Sequence, residues 1–234
     1  MITIVHLYPR ELGINGDVGN VIALRRRAEW RGLPVEVVDV GAGESLPSRA
    51  HLVHIGSGPA SARQPLHADV ARHAATLREW AAAGVPFLAI SAGWQLLGRE
   101  VVELDGNVSP GAGVMPSTAR VSPTRTVGEA AGSSELGEVA GFLNFGADYT
   151  LDAGVAPFAR LASGDDGLVS GALIATNLHG PLLPMNPVWA DHLLGAAAAL
   201  SGDTGGEPDA HRAEVDDYAR RSREAIRGRI SAGR

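Results

Sequence analysis

Two side chains in this sequence are suited to nucleophilic chemistry: a serine on a tight turn and a histidine at the end of an apolar run. Residues 85–90 (Val-Pro-Phe-Leu-Ala-Ile) have the length and character of a buried strand, and Trp94, Leu96 and Leu97 open a helical face. Ala92 and Gly93 supply the small residues of the turn between them. Ser91 therefore stands beside the positive end of a helix, where an anionic nucleophile or an oxyanion is stabilised. A serine hydroxyl is far less acidic than a thiol, so Ser91 needs a well-oriented general base to attack anything. The plain alternative is a small residue that closes a strand.

His179 is the candidate base. The apolar run from Ala172 ends at this histidine, and Gly180, Pro181 and Pro184 bar its continuation. It leaves the end of a strand, where catalytic groups gather in open α/β sheets. Most of the eight histidines read as solvated or structural.

These two residues need a sheet to bring them together, and the sequence supplies its parts. Residues 2–7 form an apolar strand, followed by the glycine-rich turn 13–20 and a helix with Val21, Ile22, Leu24, Ala28 and Trp30 along one side, ending at Gly32. Residues 34–40 and 51–55 read as further strands, and residues 68–83 as a long helix leading into the strand before Ser91. This cadence predicts an α/β fold: a single three-layer, doubly wound domain with a mainly parallel sheet, over residues 1–200. From Val101 to Leu173 the apolar runs are short and broken, which predicts additional strands and loops near the site. A helix over 187–200, a linker over 201–208 and a C-terminal surface helix over 209–234 complete the chain. Ala213, Val215, Tyr218, Ala219 and Ile226 are its expected contacts with the body or a partner.

Composition narrows the function. A chain of 234 residues suits one domain with a full core, and 45% apolar with 20% charged residues is ordinary for a soluble globule. Without cysteine it has neither disulfides nor thiolate metal sites, and no metal or cofactor is expected. The sequence has no long uninterrupted apolar stretch and no basic leader, which points to the cytoplasm and to no membrane span. All 20 basic residues are arginine, and the net charge of −6 argues against nucleic acid as a partner. Arg25, Arg26, Arg27 and Arg31 read as a solvated helix face.

Four segments carry a resemblance to a known family: Leu7-Tyr8-Pro9, residues 16–29 beginning Gly-Asp-Val-Gly-Asn, the Ser91 turn, and residues 178–187 from Leu-His-Gly-Pro to Asn-Pro. In that order they resemble the amidotransferase subunit of lipid II isoglutaminyl synthase, a class I glutamine amidotransferase related to the glutaminase domain of cobyric acid synthase. The resemblance implies hydrolysis of L-glutamine and delivery of ammonia to a Mur-ligase-like, ATP-dependent partner that amidates the D-glutamate of lipid II. No P-loop is present, so nucleotide chemistry would belong to that partner. It further implies position 91 as nucleophile, His179 as its base and Asp17 as the acidic residue of the amino-terminal motif. The amides of Ala92 and of the turn Gly56, Ser57 and Gly58 would form the oxyanion hole, and Gln95 would face the substrate. Arg120 or Arg125 would meet the glutamine carboxylate, and spacing does not separate the two.

The sequence also departs from that family. Serine stands at position 91 in place of the family cysteine, and Pro59, which has no amide proton, follows the oxyanion turn. Residues 141–146 lack the glutamate and histidine that relatives carry beside the asparagine. Three readings follow: a glutaminase subunit impaired at position 91, a catalytically silent scaffold or regulatory paralogue, and a serine hydrolase. The last rests on Ala89-Ile90-Ser91-Ala92-Gly93, one position away from G-x-S-x-G, but no HGGG-like loop accompanies it.

Overall fold

Every residue of Ile2–Leu7 is buried, as a strand covered on both faces requires. The structure, a computed structural model, describes residues 1–206 and 211–233. Its first half runs β1 (Ile2–Leu7), α1 (Val18–Trp30), β2 (Val35–Val40), β3 (Leu52–Ile55), α2 (Ala60–Ala82), β4 (Phe87–Ile90) and α3 (Ala92–Leu97). A β-rich stretch follows: β5 (Glu100–Val102), β6 (Val108–Pro110), β7 (Ser117–Ser134), β8 (Gly137–Leu151), β9 (Ala159–Leu161) and β10 (Gly164–Asp166). Then come β11 (Leu168–Ser170), β12 (Leu173–Thr176), β13 (Leu178–His179), α4 (Leu182–Met185), α5 (Pro187–Ser201) and α6 (His211–Ser231).

The main sheet has six strands in the order β11-β12-β4-β3-β1-β2, parallel throughout except for β11. Its two faces separate by strand alternation. Ile2, Ile4, Leu52, Leu88 and Ile90 pack with Leu24 and Ala28 of α1 and Trp189 and Leu193 of α5. Val5, Leu7, Val53, Phe87 and Ala89 pack with Leu66, Val70, Leu77 and Trp80 of α2. This is the three-layer, doubly wound α/β arrangement with helices on both faces.

Two expectations, for α2 and Arg27, need correction, and the strands expected after Val101 are longer than the broken apolar runs suggest. Helix α2 starts at Ala60, eight residues before the expected Ala68, and includes Pro65. Arg63, Leu66, His67 and Val70 already follow helical spacing on its buried side, but two of the four are charged or polar and hide the periodicity. The loop-rich stretch after Val101 holds one long antiparallel hairpin, β7 and β8 of 18 and 15 residues, within a second, seven-stranded sheet. Much of that hairpin is exposed, so its Ser, Thr, Gly and Arg residues show no apolar alternation. Arg27 is not solvated: it is 4% exposed and binds Asp191 of α5 through Nε and Nη2 at 2.9 and 2.8 Å, and Asp216 of α6 at 2.7 Å.

The expected linker lies partly outside the described residues, since α5 includes Ser201 and residues 207–210 are not described. Helix α6 lies on α1, α4 and the hairpin. Of its five expected apolar contacts only Ala219 and Ile226 are buried; Tyr218 is 53% exposed. The helix is fastened mainly by charge, through Arg223 to the Met185 carbonyl at 2.5 Å, Arg227 to Glu138 and Arg229 to Glu129.

Candidate active site

Strand β4 ends at Ile90, and the next residue turns the chain sharply into α3. Ser91 adopts φ 46° and ψ −101°. Only Tyr8 and Asn15 join it as described non-glycine residues with positive φ. Such a conformation costs about 1–3 kcal/mol and persists only where the surroundings enforce it. Here the Ser91 amide donates to the Thr176 carbonyl of β12 at 2.9 Å, and its carbonyl accepts from the Gln95 amide at 3.0 Å. The side chain is left free, because it does not cap α3.

Strand β12 lies next to β4 with Thr176 opposite Ile90, so the chain beyond Thr176 emerges beside Ser91 at the same sheet end. Two residues of β13 follow and pair with β8, His179 opposite Phe142. His179 is fully buried, and its Nδ1 lies 3.5 Å from Oδ2 of the equally buried Asp17. Neither ring nitrogen and neither carboxylate oxygen completes a hydrogen bond. Asp17 occupies the N-cap position of α1 but does not cap it, which leaves its carboxylate for the histidine. Burial raises the Asp17 carboxyl above its ordinary range, while His179 and the Ser57 backbone act in the opposite sense.

Glycines and prolines hold this pair in place. A Cβ on Gly19 would come within 2.7 Å of the Pro181 ring, and one on Gly56 within 2.2 Å of the Leu12 carbonyl and 2.9 Å of Asp17 Cβ. The amino-terminal turn is thus pressed between the segment after His179 and the turn after β3. Asn20 Oδ1 accepts from the Leu183 amide at 2.8 Å, and Asn186 binds Ala140 through both its amide nitrogen and its oxygen. These two asparagines fix the segments that carry Asp17 and His179.

The other expected site residues fall into two groups. Ala92 is the first residue of α3, so its amide has no carbonyl four residues back to donate to. Gly93 donates to the Gly56 carbonyl at 3.0 Å, which seats α3 on the Gly56–Gly58 turn. Gln95 donates from Nε2 to the Tyr149 hydroxyl at 3.3 Å. Arg120 lies apart, exposed on β7, opposite Asp148 in register and without a side-chain hydrogen bond among the described residues. Arg125 donates to the Asn144 side chain at 2.6 Å, and Asn144 donates to Asn15 in the Asp17 loop at 3.4 Å. Hydrogen bonding therefore links Arg125, and not Arg120, to that loop.

A hydroxyl on a strained turn, an imidazole beyond the neighbouring strand end and a carboxylate 3.5 Å from that imidazole are groups from which an acyl-transfer site can be built. Comparison with known proteins gives the family. The CobB/CobQ-like glutamine amidotransferase domain matches residues 3–187, well over half of the chain. The chain belongs to this family. A 29% identical relative is the subunit GatD of lipid II isoglutaminyl synthase (glutamine-hydrolyzing) from Staphylococcus aureus, with 86% of each chain covered. Cobyric acid synthase of Sphingopyxis alaskensis is 27% identical over 79% of this chain and 39% of its own. Among solved structures, a glutamine amidotransferase superposes with a TM-score of 0.59 at 18% identity, covering 83% of this chain and 98% of its own. One from Thermotoga maritima gives 0.56 at 13% identity, with 98% and 94% covered. Both share the fold.

Within this CobB/CobQ-like domain, sequence reasoning missed a buried polar cluster behind Ser91. Tyr149 stacks on Trp94 at 3.5 Å between ring centres, and its hydroxyl lies 3.4 Å from the Ser91 carbonyl and 3.3 Å from Asn177 Oδ1. Asn177 in turn binds Asp166 at 3.0 Å, and Thr176 donates to the same carboxylate. Tyr149 sits on a polar strand 58 residues from Ser91, where no local pattern marks it. His54 was missed as well: it is fully buried, 3.1 Å from the Leu88 carbonyl and 3.3 Å from that of Asp17.

Proposed function

We propose that this chain is the glutamine-hydrolysing subunit of a two-chain ligase, handing ammonia to a Mur-ligase-like, ATP-dependent partner that amidates the D-glutamate of lipid II. The observation that supports it above all is the buried, otherwise unpartnered Asp17–His179 contact beside the Ser91 elbow. In this reading His179 takes the proton of the residue 91 nucleophile as it attacks the carboxamide carbon of glutamine. The oxyanion faces the Ala92 amide and those of the Gly56–Gly58 turn, the C–N bond breaks, and the proton leaves with ammonia. Water then hydrolyses the acyl group to glutamate. Arg125 holds the substrate carboxylate in this scheme, and Gln95 its amide end. The relationship to GatD, at 29% identity over most of both chains, supports the acceptor and the partner class.

One observation favours a second reading, a silent subunit that keeps the fold and the partner. No nitrogen of His179 has a hydrogen-bond partner, so the serine–histidine bond that a hydroxyl nucleophile depends on is not formed. A thiol is less dependent on it, because the helix end and a nearby imidazole stabilise a thiolate. Ammonia release from L-glutamine, with and without the co-expressed ligase-like subunit, separates the two readings. Turnover abolished by His179→Ala supports the first. No turnover in the presence of the partner supports the second.

A further inference from the structure

One phenol joins the separate pieces of chain that carry the site. The Tyr149 ring of β8 lies flat on Trp94, 3.5 Å between centres and 4° from parallel, and Trp94 is itself fixed by a 2.8 Å hydrogen bond from Nε1 to the Ser117 hydroxyl. The stack aims the Tyr149 hydroxyl at the back of the elbow. There it accepts from Gln95 Nε2 at 3.3 Å and offers its single hydrogen to two acceptors, the Ser91 carbonyl at 3.4 Å and Asn177 Oδ1 at 3.3 Å. A hydrogen shared in this way makes a three-centre bond. The elbow, the helix it starts and the crossover between β12 and β13 therefore meet at one oxygen.

The crossover is the rigid end of this bridge. Asn177 donates from Nδ2 to Asp166 Oδ1 at 3.0 Å, and its backbone amide lies 3.2 Å from both oxygens of that carboxylate. With Nδ2 so engaged, Oδ1 is the atom turned to the phenol. Thr176 also donates to Asp166 and accepts from the Leu178 amide at 3.0 Å, and His179 comes two residues after Asn177. The Ser91 amide already donates to the Thr176 carbonyl at 2.9 Å. Residue 91 is thus tied to one crossover by both its backbone polar groups, through the N–H to Thr176 and through the carbonyl and the Tyr149 hydroxyl to Asn177. A residue at φ 46° keeps that conformation only where its surroundings enforce it, and this closed ring of contacts does so from both sides.

We propose that Tyr149 is a positioning residue, whose hydroxyl ties the Ser91 carbonyl to Asn177 and so holds the side chain of residue 91 in register with His179. This rests on the functional reading above. The phenol meets the elbow at its backbone carbonyl, so it acts through residue 91 and sets the rate of attack without adding to the affinity for glutamine. A displacement of about 1 Å at a reacting atom is enough to cost about a hundredfold in rate. The stack on Trp94 is a separate contribution, made by the ring and kept when the hydroxyl is removed.

The test adds Tyr149→Phe to a Ser91→Cys parent and follows covalent labelling by a chloroketone analogue of glutamine across a range of concentrations. The limiting labelling rate is expected to fall at least about tenfold, while the half-saturating concentration stays within about twofold. Asn177→Ala removes the far end of the bridge and leaves the phenol in place, so it should lower the limiting rate in the same way and carries the test alone if Tyr149→Phe does not fold. Combined, the two substitutions should cost no more than either alone. Circular dichroism melting shows which variants are folded. A limiting rate unchanged by both substitutions overturns the proposal, and so do losses that multiply in the double variant. A loss carried by the half-saturating concentration overturns it in favour of direct contact with the substrate. These three results leave the functional reading standing, whereas a parent that is not labelled at residue 91, or whose labelling ignores His179→Ala, overturns both.

Discussion

Helix α1 carries a buried charge at each end, and the two are treated in opposite ways. Arg27 near its carboxyl end is matched by Asp191 and Asp216, each within 2.9 Å. Asp17 at its amino end has His179 at 3.5 Å and no completed hydrogen bond. Buried polar groups are normally satisfied, and an orphan marks a position kept for something other than stability. The Arg27 end is a clasp joining α1 to α5 and α6. The Asp17 end is held open by the glycines and prolines around it, and that is where the chemistry is proposed.

Arg27→Met leaves Asp191 and Asp216 with Arg212 alone and should lower the unfolding free energy by about 3 kcal/mol, measured by urea denaturation. A loss below about 0.5 kcal/mol would mean that the ion pairs contribute nothing net. Gly56→Ala drives a methyl group into the Leu12 carbonyl and Asp17, and is expected to cost about 2 kcal/mol, with the His179 ring resonances displaced in NMR spectra.

A pH experiment sharpens the contrast. Burial pulls His54 down to about 3, so it stays neutral in the folded protein while its unfolded counterpart gains a proton below about pH 6.5. Its contribution to stability is therefore complete above that pH and declines as the pH falls towards 3. Across pH 4–6 His54→Asn should flatten the stability profile by about 1.4 kcal/mol per pH unit. An unchanged slope would show that His54 protonates in the folded state.

The smallest effect has the opposite sign. Burial raises the Asp17 carboxyl, so its ionisation works against folding, and that penalty shrinks as the pH falls below the raised value and is gone below the ordinary carboxylate range. Asp17→Asn is expected to gain about 1 kcal/mol at pH 7 while removing any glutaminase activity. A destabilised variant would place Asp17 with Arg27 as a structural charge.

What could be read from the sequence follows the same division. Strands β1, β3, β4 and β12 are short, buried and mainly apolar, because each is covered on both faces, and β4 and β12 locate Ser91 and His179. The fate of Arg27 depends on residues 164 and 189 positions away, and nothing in the local Arg25-Arg26-Arg27 run distinguishes it from its solvated neighbours. Tyr149 was illegible for the same reason. Its strand is polar, and only the packing of the hairpin onto Trp94 gives it a role. Arg120 and Arg125 look alike in sequence, and only the Asn144 and Asn15 hydrogen bonds tell them apart.

The central claim is that residue 91 stands where His179 activates a nucleophile towards glutamine. Its most direct test introduces a thiol with Ser91→Cys and follows covalent labelling by a chloroketone analogue of glutamine with intact-protein mass spectrometry. The account predicts one adduct, on residue 91, with a labelling rate that falls at least about a hundredfold when His179→Ala is added. Labelling that ignores His179, or no adduct at residue 91, would contradict it.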